Sequence, residues 1–241
     1  MPILDHFRPP VYPRVPWESF HSTWAINLMM RLNEQLLPDG YQANSEVHLG
    51  QRIEVDVATF EDDTPSHDEF LNGAGAAVAT ETWAPPKAVA SMPATFPDSI
   101  GVLIHSIGGM KIVGAIEFVS ESNKDRPEHR LAFAHKISAL LQRGIGVLVV
   151  DIVTTRHANL HDELVDAMNL PERFRFPSES ELYTTAYHPI RRTAADEIDL
   201  WAEPLHVGGD LPTMPLFLRG GPVLGIPLQE TYTRARRGSR L

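Results

Sequence analysis

Residues 111–153 read KIVGAIEFVS (111–120), ESNKDRPEH (121–129), RLAFAHKISALLQRG (130–144) and IGVLVVDIV (145–153). The order is strand, loop, helix, strand. A helix joining two strands makes a crossover unit, so the strands are expected side by side and parallel. The first strand carries an acid, Glu117, inside an apolar run, and the second ends on another, Asp151. A carboxylate among buried apolar neighbours is costly unless it is paired with a cation or bound to a metal. That cost marks the stretch as the place to look for chemistry.

Outward from this unit the chain reads as one α/β domain. Residues 1–16 hold five prolines and little periodicity, which predicts an extended arm lying on the domain or left loose. From Trp17 to Leu37 the residues Phe20, Trp24, Leu28, Leu32 and Leu36 recur at helical spacing, and Pro38-Asp39-Gly40 stops the helix. YQANSEVHL (41–49) and RIEVDVATF (52–60) are strand-like runs around Gly50-Gln51, a hairpin signal that would bring Glu46 and Asp56 close on one face. Residues 61–97 are acidic, then small and Gly-rich, and read as a lid-like insertion or a disordered loop. A strand from Ser99 to His105 leads through Gly108-Gly109 into the crossover unit. After Val153 come a short helix at 161–169, strands at 182–189, 198–204 and 215–219 that would extend the same sheet, and a closing helix at 228–237. The organisation expected is an arm (1–16) and a single domain (17–241), with its core in 17–153 and an elaboration in 154–241.

Composition narrows the function. The chain has 241 residues and 43% apolar content, enough for a proper core. It has no cysteine, so disulfides and thiolate metal sites are excluded. No apolar run approaches the roughly 20 residues of a membrane span, and no signal-peptide core opens the chain. These features fit a cytoplasmic protein of bacterial type. The net charge of −10 argues against a protein that coats nucleic acid, but not against a nuclease whose own acids hold metal ions. Two arginine clusters, Arg191-Arg192 and Arg234, Arg236, Arg237 and Arg240, read as solvated surface.

Acids on successive strands can grip a hard divalent cation through oxygen. Such an ion activates water and stabilises a phosphate under in-line attack, and a lysine completes the set. The residues that this chemistry asks for are Glu46, Asp56 and Glu117 as ligands of Mg2+ or Mn2+, with Glu117 also catalytic. The commonest arrangement puts the lysine two places after the second-strand acid, but that place holds Val119. Lys136 on the crossover helix and Lys124 in the loop before it are the two replacements, with Lys136 preferred for its place at the edge of the apolar face. The bland alternatives are that Glu117 is a salt-bridge partner and Asp151 a cap or hydrogen-bond anchor. A separate metal site at His157, His161 and Glu163 has chelating spacing, though a polar helix start explains the same residues.

The run IEFVSESNK, the helix bearing Lys136 and the strand GVLVVDIV resemble the bacterial family catalogued as domain of unknown function 4058. The opening MPI, the aromatic and His-rich first helix, DLPTMPLFL and VLGIPLQETY resemble it too. The pattern is also similar to the Uma-type restriction-endonuclease-like proteins. There Glu46 matches the first acid, Asp56 the aspartate of the PD motif (with Val55 in place of its proline), Glu117 the second-strand glutamate and Lys136 a migrated lysine. The resemblance implies a mixed sheet flanked by helices with a PD-(D/E)XK nuclease core and a C-terminal strand extension. It implies an endonuclease acting on DNA or RNA, no membrane association, and room for a homodimer. The alternative is a catalytically inactive nuclease-like protein kept for binding or assembly. A family of unknown function transfers no substrate.

Overall fold

The computed structural model describes residues 1–48, 99–107, 111–176, 180–191 and 196–241; for residues 46–48, 99, 100 and 191 it describes the backbone alone. In chain order its elements are α1 (Trp17–Arg31), β1 (Tyr41–His48), β2 (Ser99–Ser106), β3 (Lys111–Phe118), α2 (Glu121–Asp125), α3 (Pro127–Gln142), β4 (Gly146–Asp151), α4 (Leu160–Ala167), β5 (Leu182–Arg191), β6 (Asp196–Leu205), β7 (Thr213–Phe217), β8 (Val223–Pro227) and α5 (Leu228–Gly238). Six strands form one mixed sheet in the order β1-β2-β3-β4-β5-β6, flanked by helices. Among the described residues only the β3–β4 pair, the one joined by the crossover, is parallel.

The central strands are covered on both faces, which explains why Val147, Leu148, Val149 and Val150 form an unbroken apolar run and are all buried. Alternation assigns the faces. Phe118 points to α1, its ring 4.5 Å from that of Trp24. Glu117 therefore points the other way, to the face where α2, α3 and α4 lie. On β5, Tyr183 and Tyr187 lie on that second face, bonded to the start of α4. On the first face α1 and α5 pack together through the Trp24 Nε1 to Thr231 Oγ1 bond (3.0 Å) and the Arg31–Glu230 ion pair (3.0 Å).

Two expectations are corrected. First, the C-terminal strands do not all extend the sheet: β5 and β6 do, but β7 and β8 pair with each other as a separate two-stranded sheet. That sheet sits on the first face, and the glycines beneath it allow the approach. A Cβ at Gly146 would stand 2.1 Å from the Phe217 carbonyl oxygen. The second run of the hairpin expected over 41–60 lies outside the described residues; the described partner of β1 is β2, along its whole length from Tyr41↔Ser106 to His48↔Ser99. The paired strands bury Ala43, Val102 and Ile104. Residues 52–60, Asp56 among them, lie outside the described residues, as does the 61–97 insertion. Second, the segment before α1 is not extended: it runs through turns, and Ile3, His6, Phe7 and Val11 are buried. It is tied down by Ile3 N to Gly209 O (2.7 Å), Arg236 Nη1 to Pro2 O (2.9 Å) and Arg14 Nη2 to Arg240 O (3.0 Å). Among the described residues no helix is long and apolar enough to cross a membrane.

His6 anchors that segment. Its ring packs against Phe20 with centroids 4.0 Å apart and planes tilted by 32°, and its Nε2 meets the Tyr232 hydroxyl at 2.8 Å. Burial first, and the nearby Arg236 charge second, lower its pKa to about 4, while Asp5 pulls it up. The unfolded chain therefore takes up a proton near pH 6.5 that the folded chain refuses until about pH 4. We predict that this group alone removes about 3 kcal/mol of stability as pH falls through that window, with the full stability present above it. The check is the difference in urea-unfolding free energy between pH 7 and pH 4.5, compared for wild type and His6→Gln. Equal differences would show that His6 contributes nothing.

Candidate functional site

Glu117 stands one residue from the end of β3 and is 2% exposed. Its Oε1 receives Nζ of Lys136 at 2.7 Å. Lys136 lies near the middle of α3, level with Glu117 because the helix runs back antiparallel to β3. On the same helix Arg130 reaches α4, at Glu163 Oε1 (2.5 Å), so α3 spans from α4 on one side to the Glu117 carboxylate on the other. The Lys136 side chain keeps 22% exposure, and the pair is therefore open to solvent through its cation.

The register places a second acid in line. Glu46 of β1 pairs with Gly101 of β2, and Gly101 pairs with Glu117 of β3. The three positions form one row across the sheet and share a face. Between the two acids stands a glycine, and it must be one, since a Cβ at Gly101 would fall 2.1 Å from the Ile116 carbonyl oxygen. The row thus has no side chain between its two acids. α3 packs on β4 and β5, whereas the helix packed on β1 and β2 is α1, on the opposite face. Asn44 and His105 belong to the same face as this row, with Asn44 Nδ2 at 3.4 Å from His105 Nδ1. Among the described residues no three His, Asp or Glu side chains converge on a cation-sized spot.

Asp151 is the next carboxylate on this face. Its strand neighbour Val149 is level with Glu117, so Asp151 lies one pleat further along, beside Val119. Lys124 Nζ meets Asp151 Oδ2 at 2.8 Å, and both side chains are 0% exposed. Lys124 also donates to the Glu181 carbonyl (3.4 Å), and Asp151 Oδ1 accepts from Val153 N (3.0 Å). Lys124 is not in a loop. It sits on α2, whose start is fixed by a capping box: Asn123 N donates to Ser120 Oγ (3.3 Å) and Ser120 N to Asn123 Oδ1 (2.9 Å). Burial pushes the Asp151 carboxyl above its ordinary value, and the Lys124 charge pulls it back. Burial, with Asp151 behind it, raises the Tyr183 phenol well above its ordinary value. Asp151 is therefore the anchor of a buried ion pair. Lys124 is committed to it, and Lys136 is the lysine that meets Glu117.

The histidine metal reading is corrected. His161 Nε2 faces the Phe174 carbonyl at 2.8 Å, an acceptor only, so Nε2 carries the proton. Its Nδ1 then accepts from the Tyr187 hydroxyl (2.8 Å), which in turn accepts from Thr185 Oγ1 (3.1 Å). Neither ring nitrogen has a lone pair left for a metal, and burial lowers the His161 pKa, which keeps the ring neutral. His157 pairs with Glu181 and Glu163 with Arg130. The three candidates thus have three separate partners. The spacing reflects the start of α4, which Asn159 caps by accepting from His161 N at 2.9 Å.

Arg234, Arg236 and Arg237 of the arginine tail lie on α5, with Arg240 just past its end, on the first face, and so do not border the Glu117 row. Part of it holds the chain ends together through Arg236 and the Arg240 carbonyl. No protein-family model, curated protein or solved structure matches the chain. Its own architecture defines it: an α/β protein whose central parallel strands carry two acid–lysine pairs on one face.

For the buried pair we predict a large coupling. Lys124→Met leaves a carboxylate out of water with no cation, a loss of about 3–5 kcal/mol. Lys124→Met combined with Asp151→Asn should lose clearly less than the two single changes together, with a coupling of about 2 kcal/mol. Chemical unfolding of the four proteins measures it, and strictly additive losses would mean that the contact contributes nothing.

Proposed function

We propose that the chain is a divalent-metal-dependent phosphodiester hydrolase built on a restriction-endonuclease-like core, acting on DNA or RNA. The element order α1-β1-β2-β3-α3-β4, with three antiparallel strands and then a helical crossover to a parallel fourth, supports that core. The observation that carries the activity is the Glu117–Lys136 contact at 2.7 Å, on the face where Glu46 shares the row. Glu117 and Glu46 are the proposed ligands of Mg2+ or Mn2+; Asp56, the third acid expected, lies outside the described residues. The donor set fits such an ion in kind, since hard cations take carboxylate oxygens. When bound, the ion supplies a more acidic water and a counter-charge for phosphate. Lys136 positions the Glu117 carboxylate in the resting protein. With substrate present, its partly exposed amine donates to a non-bridging phosphate oxygen as negative charge builds there.

The test is nicking of supercoiled DNA and cleavage of single-stranded RNA with and without Mg2+ or Mn2+. Lys136→Ala and Glu117→Gln are each expected to slow cleavage by about 100-fold or more. Traces identical to wild type, or cleavage that ignores chelator, would refute the proposal.

A second reading, an inactive nuclease-like protein used for binding or assembly, has one observation in its favour. The place of the motif lysine holds Val119, which is buried beside Asp151, and Lys124 is out of water. The two readings part on metal binding. A ligand at 100 times its dissociation constant stabilises by about 2.7 kcal/mol, so Mn2+ raises the melting temperature under the first reading and leaves it unmoved under the second.

A further inference from the structure

On the second face α3 packs on β4 and β5, and α4 packs on α3. Between these helices and β6 a groove of about 1080 Å³ opens. Its walls are aliphatic, with Leu164, Val165 and Met168 on the α4 side and Ile198 and Leu200 on β6. Leu170, Phe174 and Leu200 around it are 39%, 43% and 38% exposed, a grouping of large apolar side chains in water. A concave site of this size with an apolar lining is what small ligands occupy, provided that a few polar groups orient them.

The floor offers no such group. His161 Nε2 donates to the Phe174 carbonyl, its Nδ1 accepts from the Tyr187 hydroxyl, and that hydroxyl accepts from Thr185. A peptide or a sugar laid there would leave its own amides or hydroxyls without partners, at a cost. A hydrocarbon tail asks for none. The polar groups stand at the rim instead. Arg143 follows the last turn of α3, and Gly144 after it takes a φ of +75° and turns the chain toward β4. Arg219 is held by its N–H to the Val113 carbonyl (2.8 Å), and its stem lies across Gly144, where a Cβ would stand 3.7 Å from Arg219 Nε. The two arginines therefore border the groove side by side, both exposed. Arg31, Arg130 and Arg175 each hold a carboxylate, whereas Arg143 and Arg219 hold none among the described residues. Asp196 and Glu197 also border the groove, and both are engaged within the chain. Two adjacent guanidinium groups without a carboxylate attract an anionic head.

We infer that the groove binds a single-chain amphiphilic anion. Its unbranched apolar tail lies between α4 and β6, and its carboxylate or phosphate head sits on Arg143 and Arg219. None of the groove's residues belongs to the Glu117 row, so the inference stands apart from the catalytic proposal.

Calorimetric titration of the full chain with octanoate, decanoate, decyl phosphate and octanol, each well below micelle formation, tests it. One anion per chain is expected, and the tighter of decanoate and decyl phosphate identifies the head. A methylene carried fully out of water tightens binding about fourfold, so decanoate is expected to bind about tenfold tighter than octanoate. Octanol, with the tail of octanoate and no charge, is expected to bind about tenfold more weakly than octanoate. Arg143→Ala and Arg219→Ala, both at exposed positions, are each expected to weaken decanoate and decyl phosphate about tenfold. Leu200→Glu, which sets a carboxylate on the apolar wall, is expected to abolish binding of both, with circular dichroism showing that each variant folds as wild type does. Absence of saturable binding by either anion overturns the inference. So do equal affinities for octanoate and decanoate, octanol binding as tightly as octanoate, or anion binding indifferent to both arginine variants.

Discussion

Two carboxylates stand out of water on one face of the two central strands, and the rest of the arrangement follows from the need to neutralise them. Glu117 and Asp151 are a pleat apart on parallel neighbours, so their counter-charges must come from the same side. The crossover is the segment that passes over that side. It supplies both lysines, Lys124 from α2 and Lys136 from α3. The capping box at Ser120 therefore does more than start a short helix: it fixes where the first ammonium group points. The two pairs then diverge in character. The Asp151 pair is sealed and serves the fold, whereas the Glu117 pair keeps a partly wet lysine and faces the side of the sheet that α1 does not cover.

The other face solves a different problem. The chain has too many large apolar side chains on α1 for the sheet alone to cover, with Trp17, Phe20, Trp24 and Leu28 all buried. Coverage comes from α5, from the β7–β8 pair and from the proline-rich opening segment, which acts as packing and not as a tether. Glycines at Gly114 and Gly146 let β7 approach the sheet closely: a Cβ at Gly114 would stand 2.7 Å from the Leu218 side chain.

Much of this was readable in the sequence where the signal is local. The continuous Val-rich strand, the helical spacing of Phe20, Trp24 and Leu28, and the position of Lys136 at the edge of an apolar stripe are short-range patterns. What escaped is long-range. β1 finds β2 across some fifty intervening residues, and a turn dipeptide at Gly50-Gln51 says nothing about that. Val223–Pro227 is too short, and too hemmed by Pro222 and Pro227, to show alternation. Lys124 in a run of polar residues reads as surface, and only the fold reveals that it is buried against Asp151. The spacing of His157 and His161 was legible, but the partners that consume their nitrogens are on β5, on the Phe174 segment and at Glu181. Glu46 keeps its row with Glu117 through Gly101, a residue that no local pattern singles out.

The meeting of the two chain ends has a consequence for biosynthesis. The Tyr232 hydroxyl that meets His6 lies 226 positions further along, and the Arg14–Arg240 contact spans the same separation. Contacts of such span form late, because the loop they close is long. During translation the aromatic cluster of residues 6–24 therefore emerges well before α5 and stays without its cover until α5 has been made. For that interval it is a sticky surface for which a chaperone, or another nascent copy, can compete.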